Sequence, residues 1–173
     1  EAPTEIAKII KEVGGNLLHI STDFIFDGLL SRPYQVDDKP NPINMYGRTK
    51  LSGENGIKNV LSDSDQFIIL RTSWVMGAVG KNFILTMLKL HQQRETISVV
   101  YDQIGCMTST SSLAKTCWLI IQKKIEDTKH INNTLHWTEA GVSSWYDIAY
   151  EIGDLAVKMK LLDKSAKVFP ISS

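Results

Sequence analysis

The sequence predicts an α/β fold: the C-terminal part of a doubly wound parallel sheet, with a smaller lobe attached. Three observations carry that expectation. Helical and extended patterns alternate along the chain. The first extended runs are continuously apolar rather than alternating, as strands covered by helices on both faces are. The chain also opens on a helix, so the strands that would begin such a sheet, with their dinucleotide-binding turn, are expected to be absent from it.

Each element has its own signal. Ile6, Ile9, Ile10 and Val13 recur at helical spacing and stop at Gly14-Gly15, a helix end. Leu17-Leu18-His19-Ile20 reads as a strand buried on both faces, and His19 within it as a satisfied core residue. Residues 27–42 carry Gly28, Pro33, Pro40 and Pro42 and read as a loop. A helix is expected over 44–61, although Gly53 and Gly56 weaken the pattern, and Phe67-Ile68-Ile69-Leu70 is a second buried strand. Beyond Trp74 the rhythm is less regular. Phe83, Met87, Leu88 and Leu90 predict a helix, and Ile97, Val99 and Val100 a strand. A further helix is expected over 113–125, a strand over 133–137, and a last helix through Trp145, Ile148, Ile152, Leu155 and Met159 with Ser143 as its N-cap. Residues 1–75 are thus expected to hold the C-terminal half of the sheet domain, and 76–173 mainly the lobe, with sheet elements interleaved.

Composition narrows the class. The chain has 173 residues, 43% hydrophobic and 22% charged, as in an ordinary globular protein. Its 19 basic and 19 acidic residues cancel, so no net field draws it to nucleic acid or an anionic membrane. No apolar run is long enough for a transmembrane helix, and the polar start is not a signal peptide. Cys106 and Cys117 read as reduced core thiols of a cytoplasmic protein rather than a disulfide framework. His19, His91, His130 and His136 are scattered without metal-ligand spacing. Lys123-Lys124 and Lys158 with Lys160 read as solvated helix ends. The glycines form no G-x-G-x-x-G after a strand, and there is no G-x-S-x-G.

The sharpest chemical feature is Tyr46-Gly47-Arg48-Thr49-Lys50. Residues four apart share a helix face, which brings the phenol and the ammonium into one pocket. A free phenol titrates near pH 10, at about that value. A fixed positive charge beside it favours phenolate and makes the tyrosine a usable proton donor at neutral pH. Alone the spacing is weak, because both residue types are common on helix surfaces. Upstream, Ser21-Thr22-Asp23 follows the first strand, at the carboxyl edge where α/β sheets bind ligands. A hydroxyl there can hydrogen-bond a substrate carbonyl while Tyr46 protonates it. The plainer alternative is that Thr22 caps a turn.

These segments resemble the extended short-chain dehydrogenase/reductases, and among them most closely the dTDP-4-dehydrorhamnose reductase branch. The resemblance runs through residues 19–28, 40–54 and Arg71-Thr72-Ser73-Trp74-Val75. It continues in Asn82-Phe83, Asp102-Gln103-Ile104-Gly105 and Ser144-Trp145-Tyr146-Asp147, nearly the whole chain. It implies a Rossmann-like fold with a substrate-binding lobe, and reduction of dTDP-4-dehydro-L-rhamnose by NADPH or NADH in nucleotide-sugar biosynthesis. By the same resemblance Tyr46 is the general acid at the sugar C4 oxygen. Lys50 holds the nicotinamide ribose and favours the Tyr46 phenolate. Thr22 binds the keto oxygen, Asp23 contacts the sugar, and Trp74 offers it a flat apolar face. A homodimer and a magnesium ion are compatible with this reading, but no magnesium ligand is identifiable.

The chain departs from the family pattern at two places. Met76 follows Trp74-Val75 where a tyrosine is usual, and Met107-Thr108 replaces a Pro-Thr pair. Both bear on substrate identity and rate more than on reaction type. Two other functions share these motifs: a non-catalytic regulatory subunit like that of methionine adenosyltransferase, and a sugar-nucleotide epimerase or dehydratase. Retention of Thr22, Tyr46, Lys50 and Trp74 together favours the reductase. Without a phosphate cradle, the segment alone is expected to hold a dinucleotide weakly.

Overall fold

A computed structural model describes residues 1–62, 64–126 and 132–173, so His130 lies outside the described residues. In chain order the elements are α1 (Ala2–Val13), β1 (Leu17–Thr22), a short 3-10 turn (Asp23–Ile25), α2 (Met45–Leu61), β2 (Phe67–Thr72) and β3 (Val75–Met76). There follow α3 (Phe83–Gln93), β4 (Thr96–Val100), β5 (Ile104–Gly105), β6 (Thr108–Ser109), α4 (Thr110–Glu126), β7 (Thr134–His136), β8 (Ser143–Ser144), α5 (Trp145–Lys158) and β9 (Lys167–Ile171). The chain divides into two compact units, Glu1–Ser73 with Leu113–Trp137, and Trp74–Ser112 with Thr138–Ser173.

The first unit is built on a parallel sheet of order β1-β2-β7. Its central strand β2 is buried along its whole length, as a continuous apolar run demands. β1 is not: Leu17, Leu18 and His19 are half-buried and Ile20 is exposed. The expectation of burial on both faces fails there because β1 has a single pairing partner among the described strands. Helices α1 and α2 pack on the sheet around Ala7, Ile57, Leu61, Phe67 and Ile69. The helices approach closely where α2 has no side chains. A Cβ on Gly53 would come within 3.1 Å of the Pro3 ring, and one on Gly56 within 2.0 Å of Thr4 Oγ1. Those glycines weaken the helical pattern, yet the packing requires them.

Gly14 ends α1 in the left-handed conformation at φ 67°, as the Gly-Gly pair predicts. Of the residues that announce α1, only Ile10 packs on the core, however. Ile6, Ile9 and Val13 are exposed, while Ala7 and Ile10 face the core.

In the second unit, β4 pairs in parallel with β9, β3 with β6, and β5 runs antiparallel to β8. Met87, Ile97, Val99, Ala149 and Ala166 form its core. His91 is buried there with both ring nitrogens bonded: Nε2 lies 2.9 Å from the Ala149 carbonyl, and Nδ1 accepts from the Ala166 amide at 3.2 Å. The N-cap of α5 is Ser144 rather than Ser143. Ser144 forms a complete capping box with Asp147, which its neighbour one residue earlier cannot reach. Strand β9 was not legible in the sequence, since it is mostly exposed and carries Pro170. Cys106 and Cys117 are half-buried thiols rather than core ones. Lys123, Lys124 and Lys158 stand in the last turns of α4 and α5, and Lys158 pairs with Asp154. No helix among the described residues is long and apolar enough to cross a membrane.

Candidate functional site

Four of the expected site residues gather at the carboxyl end of β1. Thr22 is the last residue of the strand, and its extended backbone turns directly into the 3-10 turn begun by Asp23. Asn44 caps α2 by accepting from the Gly47 amide at 2.8 Å, which places Tyr46 in the first helical turn and Lys50 one turn later. Gly47 lets this helix end sit on the 3-10 turn, because a Cβ there would lie 2.0 Å from the Phe24 carbonyl oxygen. The Phe24 and Tyr46 rings meet edge-on, with centroids 5.7 Å apart. Lys50 reaches back across the strand end, and its ammonium donates to the Ile20 carbonyl at 2.6 Å.

The local electrostatics follow from this packing. Thr22 is buried; its hydroxyl donates to Asp23 Oδ1 at 3.0 Å and accepts from the Phe24 amide at 3.2 Å. The turn-capping role weighed from sequence is therefore present. Burial pushes the Asp23 carboxyl above its ordinary value, with the Thr22 hydrogen bond working against the shift. Burial lowers Lys50, and the negative charge of Glu54 offsets part of that. His19 is half-buried rather than a satisfied core residue: its Nε2 is enclosed without a hydrogen-bond partner. Burial lowers its pKa, and the Lys50 charge lowers it further.

Behind the site lies a buried network that sequence reasoning missed. Glu54 on α2 is wholly buried and accepts from Ser21 on β1 and from Arg71 on β2. Arg71 Nη1 donates to the Val36 carbonyl at 3.2 Å and faces His136 Nε2 at 3.3 Å, while His136 Nδ1 faces the Tyr34 carbonyl at 3.2 Å. One neutral tautomer satisfies both histidine contacts, with Nδ1 donating and Nε2 accepting. In keeping with that, burial and then the Arg71 charge lower the His136 pKa. The signal available in the sequence was Arg71 itself, a cation directly after the apolar run of β2. The loop beyond the 3-10 turn is clasped by Asp27, which accepts from Tyr34 Oη at 2.6 Å and Asn41 Nδ2 at 2.9 Å. The Tyr34 bond first, then Asn41, hold its carboxyl down to about 2.

Trp74 belongs to the second unit. Its backbone adopts φ 40°, a strained value for a bulky residue and one that clusters at functional positions. One indole face stacks on Trp145 at 3.7 Å, and Gly105 closes on the ring so tightly that a Cβ there would lie 2.7 Å away. The ring is thus held firmly, with less of its surface open than the sequence suggested. Among the described residues, no group of three or more His, Cys, Asp or Glu side chains is placed to hold a metal ion.

All of residues 1–173 match the RmlD substrate binding domain. The chain belongs to that family. It is 39% identical over 157 residues to a dTDP-4-dehydrorhamnose reductase of Aggregatibacter actinomycetemcomitans, covering 91% of this chain and 52% of that protein. It is also 39% identical over 145 residues to a dTDP-4-keto-6-deoxy-D-glucose reductase of Streptomyces niveus, covering 84% of this chain and 48% of that one. Among solved structures, the dTDP-4-dehydrorhamnose reductase of Bacillus anthracis in complex with NADP superposes with a TM-score of 0.85 at 33% identity, over 99% of this chain and 56% of its own. The chain spans about half the length of the curated relatives it matches. A dTDP-glucose 4,6-dehydratase from B. anthracis shares the fold, with a TM-score of 0.80 at 12% identity.

Proposed function

We propose that the full-length protein reduces the C4 ketone of dTDP-4-dehydro-L-rhamnose, giving dTDP-L-rhamnose for cell-surface polysaccharide. The observation that carries this reading is the pairing of Tyr46 and Lys50 on one face of α2, against the strand end that bears Thr22. The family membership supports it, as do the relatives named for reduction of dTDP-4-keto sugars.

The residues divide the work as their chemistry allows. A bound NADPH or NADH supplies the hydride that reaches C4. Tyr46 donates its phenolic proton to the C4 oxygen as that oxygen gains negative charge, and recovers a proton from solvent afterwards. Lys50 spends one of its three N–H donors on Ile20, leaving two for ribose hydroxyls. Thr22 orients the ketone by redirecting its hydroxyl from Asp23, whose carboxylate lies beside the sugar. Trp74 contacts the sugar with what its packing leaves exposed. The setting that suits a nucleotide sugar and a reduced nicotinamide is the cytoplasm, and a homodimer is compatible with this assignment.

The test is direct. Purified full-length protein given dTDP-4-dehydro-L-rhamnose and NADPH or NADH should oxidise one nicotinamide per sugar reduced. An epimerase or dehydratase would convert sugar without net oxidation of added cofactor, and a regulatory subunit would convert nothing. Either result defeats the reductase reading.

A further inference from the structure

The buried Glu54 lies four residues beyond Lys50 and eight beyond Tyr46, on the same side of α2. Ser21 Oγ donates to it at 2.5 Å, Arg71 Nε lies at 3.1 and 3.3 Å from its two oxygens, and Arg71 Nη2 donates at 2.8 Å. Ser21 directly precedes Thr22, and Ser21 and Arg71 stand opposite each other in the register of β1 and β2. A single carboxylate therefore fastens the helix bearing Tyr46 and Lys50 to the strand positions just before the reactive hydroxyl. Arg71 carries the connection on to the 27–42 loop and to β7 through Val36 and His136.

Stability does not account for this arrangement. A buried ion pair can often be replaced by apolar side chains of similar volume at no cost, whereas removing one partner is expensive. Geometry does account for it. A side-chain tip about 6 Å from a helix axis moves about 1 Å when the helix turns by about 10°. A misplacement of about 1 Å can cost roughly a hundredfold in rate. Apolar contacts alone tolerate small rotations of that kind, while hydrogen bonds of 2.5–3.3 Å from two strands do not.

We propose that Glu54, held by Ser21 and Arg71, is a positioning residue that fixes the rotation and height of α2, and with it the Tyr46 hydroxyl and Lys50 ammonium relative to Thr22. The proposal rests on the reductase reading above. Glu54 touches no reacting atom in this scheme and acts through the helix.

The experiment uses the full-length protein and measures kcat, both Michaelis constants and Tm for four forms. These are the native sequence, Tyr46→Phe, Ser21→Ala, and a double replacement Glu54→Leu with Arg71→Met that removes both charges together. Ser21→Ala should lower kcat about tenfold, part of the cost of a sub-ångström misplacement, with both Michaelis constants and Tm little changed. The double variant, folded and with a Tm near that of the native protein, should lower kcat roughly a hundredfold. Native turnover from both folded variants overturns the proposal, because the network would then serve folding alone. If the double variant does not fold, Ser21→Ala decides the matter by itself. Tyr46→Phe separates the two levels. Full turnover there sinks the reductase reading, whereas its loss beside native turnover in every network variant that folds sinks only the positioning role.

Discussion

The Lys50 ammonium lies 2.6 Å from the Ile20 carbonyl oxygen, so the cation is tied to the strand end rather than left in solvent. That tether places a positive charge one helical turn from Tyr46. Lys50→Met keeps the aliphatic stem and removes the charge. In the full-length protein the substitution should raise the Michaelis constant for the reduced nicotinamide about tenfold, the worth of a charge-assisted hydrogen bond. It should also lower kcat, while the constant for the sugar moves less. Steady-state kinetics with each substrate varied in turn checks this, and an unchanged nicotinamide constant would remove Lys50 from the cofactor site.

Tyr46→Phe removes one hydroxyl and leaves the ring against Phe24. Turnover should fall by at least about a hundredfold, the usual scale for losing a general acid. Because Tyr46 is exposed and the hydroxyl carries no packing, Tm should stay close to that of the native protein. Near-native turnover from the purified variant would take Tyr46 out of the mechanism.

Two histidines predict the response to acid. Burial lowers both His19 and His136 from the ordinary value of 6.5, with Lys50 adding to the first and Arg71 to the second. A lowered pKa means the unfolded chain binds the proton more readily, so stability rises with pH across this range. Their contribution is complete above 6.5 and is lost as pH falls from there toward the lowered values. Asp23, raised by burial, works in the opposite sense, but its window opens at the ordinary carboxylate value of 3.8, below the histidine range. Urea unfolding midpoints should therefore be lower near about pH 5.5 than near about pH 7.5. A midpoint that does not move between those conditions would show that neither histidine is held neutral by the fold.

What could be read in advance follows from which interactions leave a local trace. The Tyr46–Lys50 pair is legible because four residues along a helix is a local distance, and α2 forms between the Asn44 cap and Leu61 as its pattern indicates. β2 announces itself through an unbroken apolar run, since a central parallel strand meets helices on both faces. The Glu54–Arg71 pair left no such trace. Its partners are 17 residues apart and meet only because α2 packs on the sheet in which β1 and β2 lie side by side. Trp74 was legible as a residue of interest, but its stacking on Trp145 was not, because 71 positions separate them in sequence. β9 escaped notice for a third reason: an exposed edge strand needs no apolar pattern at all.

The Trp74 geometry changes what its removal should do. From sequence the choice lay between a sugar platform and a core residue, and the structure gives it a packing partner without burying it fully. Trp74→Ala would therefore destabilise the second unit whatever the ring contacts, by roughly half of the 3–5 kcal/mol that a fully buried tryptophan costs. Kinetics on that variant alone would mix lost folding with lost binding. Trp74→Phe is the cleaner probe. A phenyl ring can still stack on Trp145, and the small Gly105 leaves it room, but the indole N–H and the outer ring are gone. If the exposed part of Trp74 meets the sugar, Trp74→Phe should raise the Michaelis constant for the dTDP-sugar several-fold, about 1 kcal/mol for a lost neutral hydrogen bond. The nicotinamide constant should stay put and Tm should fall only slightly. If the ring serves packing alone, Trp74→Phe should leave both constants at native values, and Trp74→Ala should lower Tm without selectively weakening sugar binding. Thermal melts run beside the kinetics of both variants separate these outcomes, and the second pattern would end the case for Trp74 as a substrate contact.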